Sequence, residues 1–197
     1  MDKRQFLAAA ALSGAVPALQ AQPASAAAGR RTGPAILTVG GAVGRSNRGP
    51  VDPALDQLMV KHKAAFERAW EFDSAMLGKL PALTIQPTLE YDGKVHKLSG
   101  PLLSTVVEAA GVAATAPVML GLRAIDGYTV SVSLADARGY RMIVAHTLDG
   151  SPMGLGGLGP LWAVYDADRL PAFKDKPVKE RFGLCPWGLY YIDVKPA

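Results

Sequence analysis

The segment between residues 118 and 134 constrains this chain more tightly than any other. Val118-Met119-Leu120-Gly121-Leu122-Arg123-Ala124 is an apolar run, Asp126-Gly127 supplies a turn, and beyond it Tyr128, Val130 and Val132 alternate with Thr129, Ser131 and Ser133. Alternation with a period of two assigns alternate side chains to opposite faces of a half-buried strand, so the segment reads as two strands about a turn. Further strand-like runs lie at residues 36–39, at 83–91 and 94–98 around Asp92-Gly93, and at 142–147, 161–165 and 188–194. The helical signals are separate from these. Asp52-Pro53 resembles a cap with proline at the first helical position, and Leu55, Met59, Phe66 and Trp70 make a stripe that predicts a helix to about Ala69. A short helix is predicted over residues 74–79, stopped by Leu80-Pro81, and a clearer one has Ser99 as cap, Leu102, Leu103, Val106, Val107 and Ala110 on one face, and Gly111 as stop. Helices and strands mix without regular βαβ alternation, which predicts an α+β fold with a mixed sheet in a single domain.

The first 26 residues differ from the rest. Lys3-Arg4 precedes an apolar, alanine-rich run over residues 6–16, with the small-residue site Ala24-Ser25-Ala26 after it. That run is far short of the roughly 20 residues needed to span a bilayer, so it reads as an export signal, cleaved to leave a periplasmic protein. Lys3-Arg4-Gln5-Phe6-Leu7 resembles a twin-arginine signal with lysine in place of the first arginine, and either export route stays open. Residues 27–34 read as a linker and residues 35–197 as the domain. With 197 residues, 49% of them apolar, the chain has material for one ordinary core. A net charge of +4, with basic residues scattered and not interleaved with aromatics, argues against nucleic acid as a partner. The single cysteine excludes an internal disulfide, which leaves stability to packing.

Residues 150–160, with glycine at 150, 154, 156, 157 and 159, are the richest glycine cluster. Backbone amides free of Cβ atoms admit an anion or a ring at close range, although a plain hairpin loop has the same composition. Pro160 and a strand follow where a dinucleotide fingerprint needs a helix. The histidines carry no ligand spacing for zinc. His62 is expected on the exposed side of a helix and His96 beside a turn, while His146, ahead of the glycine loop, is placed either near a pocket or in the core. Cys185, followed by Pro186-Trp187, lacks the context of a catalytic nucleophile and reads as a small buried residue. Glu67 and Glu71, four apart, read as a solvated helix face, and Asp166 and Asp168 as turn formers. Trp162 and Trp187 offer stacking faces for a flat heterocycle, which also needs an acceptor for its ring N–H and exocyclic amine. Asp126, beside Tyr128 in its turn, is a candidate acceptor, and Arg123, Arg169 or Arg181 a candidate partner for a polar tail or phosphate. Core tryptophans and a plain turn aspartate are the competing explanation.

Five strings carry a resemblance that runs from about residue 36 to 194. They are Leu37-Thr38-Val39-Gly40-Gly41; Leu98-Ser99-Gly100-Pro101-Leu102-Leu103 with Ala109-Ala110-Gly111; Ile125-Asp126-Gly127-Tyr128; Gly159-Pro160-Leu161-Trp162; and Trp187 before the closing strand. In this order the chain resembles an oxidoreductase molybdopterin-binding domain of sulfite oxidase-like fold. Two departures follow. Where that family places its metal-ligating cysteine this chain reads Ile85-Gln86-Pro87-Thr88-Leu89, its sole cysteine, Cys185, is expected out of reach of a metal held there, and Trp162 stands where a phosphate-holding arginine is expected. The chain is most similar to short, exported, stand-alone members, some of which bind a free reduced pterin and pass its presence to a membrane-bound cyclic-di-GMP enzyme. The resemblance then implies that Trp187 or Trp162 stacks on the ring, that Asp126 or Glu90 pairs with the aminopyrimidine edge, and that the loop with Gly157 and Gly159 forms the floor, with no catalytic base or metal. The alternatives are a molybdopterin-dependent oxidoreductase using an oxygen ligand such as Thr88 or a cysteine recruited from elsewhere, and a surface or assembly factor with a decayed pocket.

Overall fold

The computed structural model describes residues 31–197, so the expected export signal over residues 1–26 and the start of the linker lie outside the described residues. In chain order the elements are β1 (Leu37–Gly41), α1 (Gln57–Lys61), β2 (Ala69–Phe72), α2 (Ser74–Gly78), β3 (Ala82–Ile85), β4 (Leu98–Pro101), α3 (Leu103–Ala109), β5 (Val118–Ala124), β6 (Thr129–Ser133), α4 (Leu134–Gly139), β7 (Ile143–Ala145), β8 (Thr147–Leu148), β9 (Ser151–Pro152), β10 (Trp162–Val164) and β11 (Leu189–Pro196). They form a mixed α+β domain with sheets ordered β2-β1-β11-β5-β6, β3-β4-β8-β9 and β10-β7. The β1–β11 pairing is parallel and its neighbours are antiparallel. No helix among the described residues is long and apolar enough to cross a membrane.

The hairpin forms where the alternation puts it. Leu120 faces Val132 and Leu122 faces Val130, with Gly127 at φ +93° closing the turn on the Ala124 carbonyl. Val118, Leu120, Leu122 and Ala124 turn inward onto a core shared with Leu103, Val106 and Val107 of α3 and Leu134 and Ala137 of α4. Each large side chain fully withdrawn from water there contributes about 1.5–3 kcal/mol. Tyr128 departs from the strand pattern: it is exposed, and its hydroxyl donates to the Gly183 carbonyl at 2.7 Å. Helix α4 follows from a signal present in the sequence, since Ser133 accepts from the Asp136 amide at 2.9 Å and Ser-x-x-Asp opens the helix.

Tertiary pairing overrides helical periodicity in residues 53–69. The Asp52 carboxylate accepts from the Ala54 and Leu55 amides, a turn in place of a helix start, and Leu55 is exposed. Helix α1 is only five residues long and ends at His62 before Lys63 at φ +54°. Phe66 packs instead with Tyr191, and Trp70 belongs to β2, opposite Val39. Glu71 is therefore not on a solvated helix face: it is buried, at 3.0 Å from Arg48 and 2.8 Å from Arg31, while Glu67 stays exposed. Ser99 is not a helix cap either. It pairs with Thr84 inside the β3–β4 ladder, and α3 begins at Leu103 without a side-chain cap. Helix α2 forms as expected, capped by Asp73.

Two stability measurements follow. Glu71→Ala strips the half-buried Arg48 guanidinium of one carboxylate while its pair with Asp56 remains, so a loss of about 2 kcal/mol is expected in chemical denaturation. Asp73 accepts from the amides of Met76, Gly33 and Thr32, and these bonds hold its carboxyl at about 2, below the ordinary 3.8. Its contribution is present above about pH 4 and lost as the pH falls toward 2. The difference in melting temperature between wild type and Asp73→Asn should shrink across that window, and a difference independent of pH would contradict this assignment.

Candidate functional site

Four segments meet where β5 ends and β11 begins: the turn at residues 125–128, residues 90–91 beyond β3, the glycine loop, and residues 182–188. Main-chain hydrogen bonds join them. The Gly188 amide donates to the Leu158 carbonyl at 3.2 Å, its carbonyl accepts from the Ile125 amide at 2.9 Å, and the Pro186 carbonyl accepts from Ala163 at 3.2 Å. Gly159 closes against Met153, whose carbonyl would lie 2.6 Å from any Cβ placed there. Between these segments Trp187, 39% exposed, stands free of the core.

Two adjoining cavities share Trp187, Tyr91 and Asp126. One, of about 280 Å³, is a polar chamber whose wall includes Glu90, Asp126, Tyr128, Lys179 and Cys185. The other, of about 630 Å³, is a trough lined by Ile125, Leu155, Leu158 and glycines 156, 157, 159 and 188. No protein-family model and no curated protein matches the chain. What the cleft does must therefore be argued from its own residues.

Of the residues singled out in the sequence, Trp187, Asp126, Tyr128, Glu90, Gly157 and Gly159 come together here. Trp162 does not. Its ring is buried, its indole N–H donates to the Cys185 carbonyl at 2.9 Å, and it packs against Phe182, so it supports the chamber wall from behind. Arg123 lies on the other face of the sheet, its guanidinium bonded to the His62 carbonyl, in a separate recess with Asp193 and Lys195. Alternation explains the misplacement, because Ala124 and Leu122 take the core face of β5 and Arg123 must take the opposite one. Arg181 is held by Asp168 at 2.7 Å and by the Lys176 carbonyl at 2.8 Å, a clamp on the irregular segment before β11. Arg169, largely exposed, pairs with Asp166 at 3.4 Å. His146 sits behind the glycine loop, its carbonyl accepting from Met153, and burial pushes its imidazole toward the neutral form. His62 is half-buried, with Nδ1 2.9 Å from the Tyr190 hydroxyl. His96 lies between Asp149 and Asp92, and these hydrogen bonds favour its charged form.

Tyr91 and Lys179 of the chamber are among the residues that the sequence reading does not single out, and Cys185 lies where it is not expected. Tyr91 is an exposed aromatic beside Glu90 and the Asp92-Gly93 turn, a juxtaposition visible in the chain. Burial of its phenol and then the charge of Glu90 push it up to about 12, so it is a neutral donor at physiological pH. Lys179 belongs to a short 3-10 turn, Val178–Glu180, with no pattern to mark it. Cys185 is buried, as its sequence context suggests, yet it forms part of the chamber wall, so the thiol is not remote from the cleft.

Burial pushes the Cys185 thiol up to about 12, opposed by hydrogen bonds with Tyr165 and reinforced by the charge of Glu90. A thiol so placed is a neutral wall atom. Iodoacetamide at pH 8 should leave Cys185 unmodified in the native protein and alkylate it fully in guanidinium chloride; rapid native labelling would show a reactive thiol in the chamber.

Proposed function

We propose that this protein is an exported, sulfite oxidase-like pterin-binding module that senses a reduced pterin and signals its presence to a membrane partner, a cyclic-di-GMP enzyme. The observation that carries the reading is the sharing of Trp187 between a chamber with two carboxylates and an apolar trough. A bicyclic aminopyrimidine stacks by its π face and presents along one edge a row of N–H donors. Trp187 supplies the stacking face, Glu90 or Asp126 accepts from the ring N–H and exocyclic amine, and the Tyr91 hydroxyl is a donor within reach of a ring carbonyl. Asp126 already accepts from the Tyr128 amide through one oxygen, which orients its carboxylate. On loops held in place by main-chain bonds, the bound ring itself alters the face that a partner meets, and that difference is what the partner would read.

The place of Cys185 in the chamber wall favours a second reading, a molybdopterin-dependent oxidoreductase in which this thiol serves as the recruited ligand. The chamber wall suits that group less well, because among the described residues Lys179 is the one cation lining it and an anionic phosphate tail calls for more. Thr88 lends its amide to Asp168 at 2.7 Å, within the β-bridge to Val95 and outside the chamber wall.

Acid extraction of the purified exported form, with pterin fluorescence and molybdenum measured on the same sample, separates the readings. Fluorescent pterin without stoichiometric molybdenum is expected, whereas stoichiometric molybdenum would establish the oxidoreductase. Neither would point to the decayed pocket. By titration calorimetry, Trp187→Ala should weaken pterin binding at least tenfold, in line with stacking worth about 1–3 kcal/mol per ring. Unchanged affinity would place the stacking platform elsewhere.

A further inference from the structure

The trough, at about 630 Å³ against about 280 Å³ for the chamber, is more than twice the space that the head-group compartment encloses. A bare two-ring heterocycle held by Glu90 or Asp126 leaves most of it unfilled. Its apolar side chains are Ile125, Leu155 and Leu158, and Leu155, 75% exposed at the rim, shares one lining with the exposed rings of Trp187 and Tyr91. The charge around it is one-sided. Among the described residues Asp126 is the sole charged one in the trough wall; Lys179 belongs to the chamber, Arg181 is spent on Asp168, and Arg123 lies across the sheet.

We infer that the trough selects for the substituent on the ring: the cleft takes a pterin carrying an uncharged apolar or aryl group, and discriminates against one carrying a phosphate. This rests on the pterin reading above and extends it to the ligand's chemical class. The wall shared through Trp187, Tyr91 and Asp126 makes chamber and trough continuous, so a group attached to a stacked ring passes directly over Leu155 and Leu158. An apolar group there withdraws both its own surface and that of the leucines from water. A phosphate meets the Asp126 carboxylate with no fixed cation in the trough wall to offset it. Of the glycine amides around the trough, that of Gly157 is donated to the Gly154 carbonyl and that of Gly188 to the Leu158 carbonyl, so neither is free for an anion.

Anaerobic titration calorimetry with four reduced probes tests this selection: the dihydro forms of pterin, 6-phenylpterin, neopterin and neopterin monophosphate. The 6-phenyl compound should bind about tenfold more tightly than pterin, and the monophosphate about tenfold more weakly than neopterin, each a change of about 1.4 kcal/mol. Leu155→Asp, at an exposed position where the fold is not at stake, should bring the ratio of 6-phenylpterin to pterin affinity close to one. If pterin binds but the phenyl group adds nothing, the trough serves another occupant and the inference is overturned while the pterin reading stands. A monophosphate that binds as tightly as neopterin overturns it equally. If none of the four binds, the pterin reading itself fails, and this inference with it.

Discussion

The cleft depends on the two hydrogen bonds of Gly188. Its amide reaches the glycine loop and its carbonyl reaches the turn after β5, so one residue at the head of β11 joins three segments that are distant in sequence. Strand β11 is in turn paired on both sides, parallel to β1 and antiparallel to β5, which makes it a rigid anchor for whatever precedes it. Trp187 inherits that rigidity. A ring-binding surface built on mobile loops would lose part of its binding energy to ordering them, and this one is assembled before any ligand arrives.

Charge is distributed in keeping with that design. The basic side chains that sequence alone puts near the site are engaged elsewhere: Arg181 with Asp168, Arg123 with the His62 carbonyl, and Arg169 with Asp166. What remains around Trp187 is a pair of carboxylates, one lysine, the phenols of Tyr91 and Tyr128 and a buried thiol. On the proposed reading such a set suits an N–H-rich edge, whereas a phosphate tail calls for more cations than one lysine.

Much of the scaffold was legible in the chain because its signals were local. The apolar run of β5, the alternation of β6 and the stripe of Leu103, Val106 and Val107 each reflect one face meeting one core. Residues 53–69 were misread for the opposite reason. Their helical spacing competes with a strand pairing to β1 and with the Arg48–Glu71 ion pair, and both contacts lie beyond any window along the chain. The site shows the same division. Trp187 and Asp126 could be named because aromatic and acidic residues beside turns tend to line clefts, and Glu90 only through the family resemblance, but which of two tryptophans faces water depends on Phe182 and the Cys185 carbonyl closing over Trp162. Cys185 entered the chamber wall through the path of residues 182–188, a trajectory that no spacing rule encodes.

Position 187 is secured by main-chain contacts at its flanks, and its indole contributes little to the core. Scaffold integrity and ring recognition are thus separable at this residue. Mutational drift there could retune the preferred heterocycle in a single step, without the compensating changes that an altered interior side chain would demand.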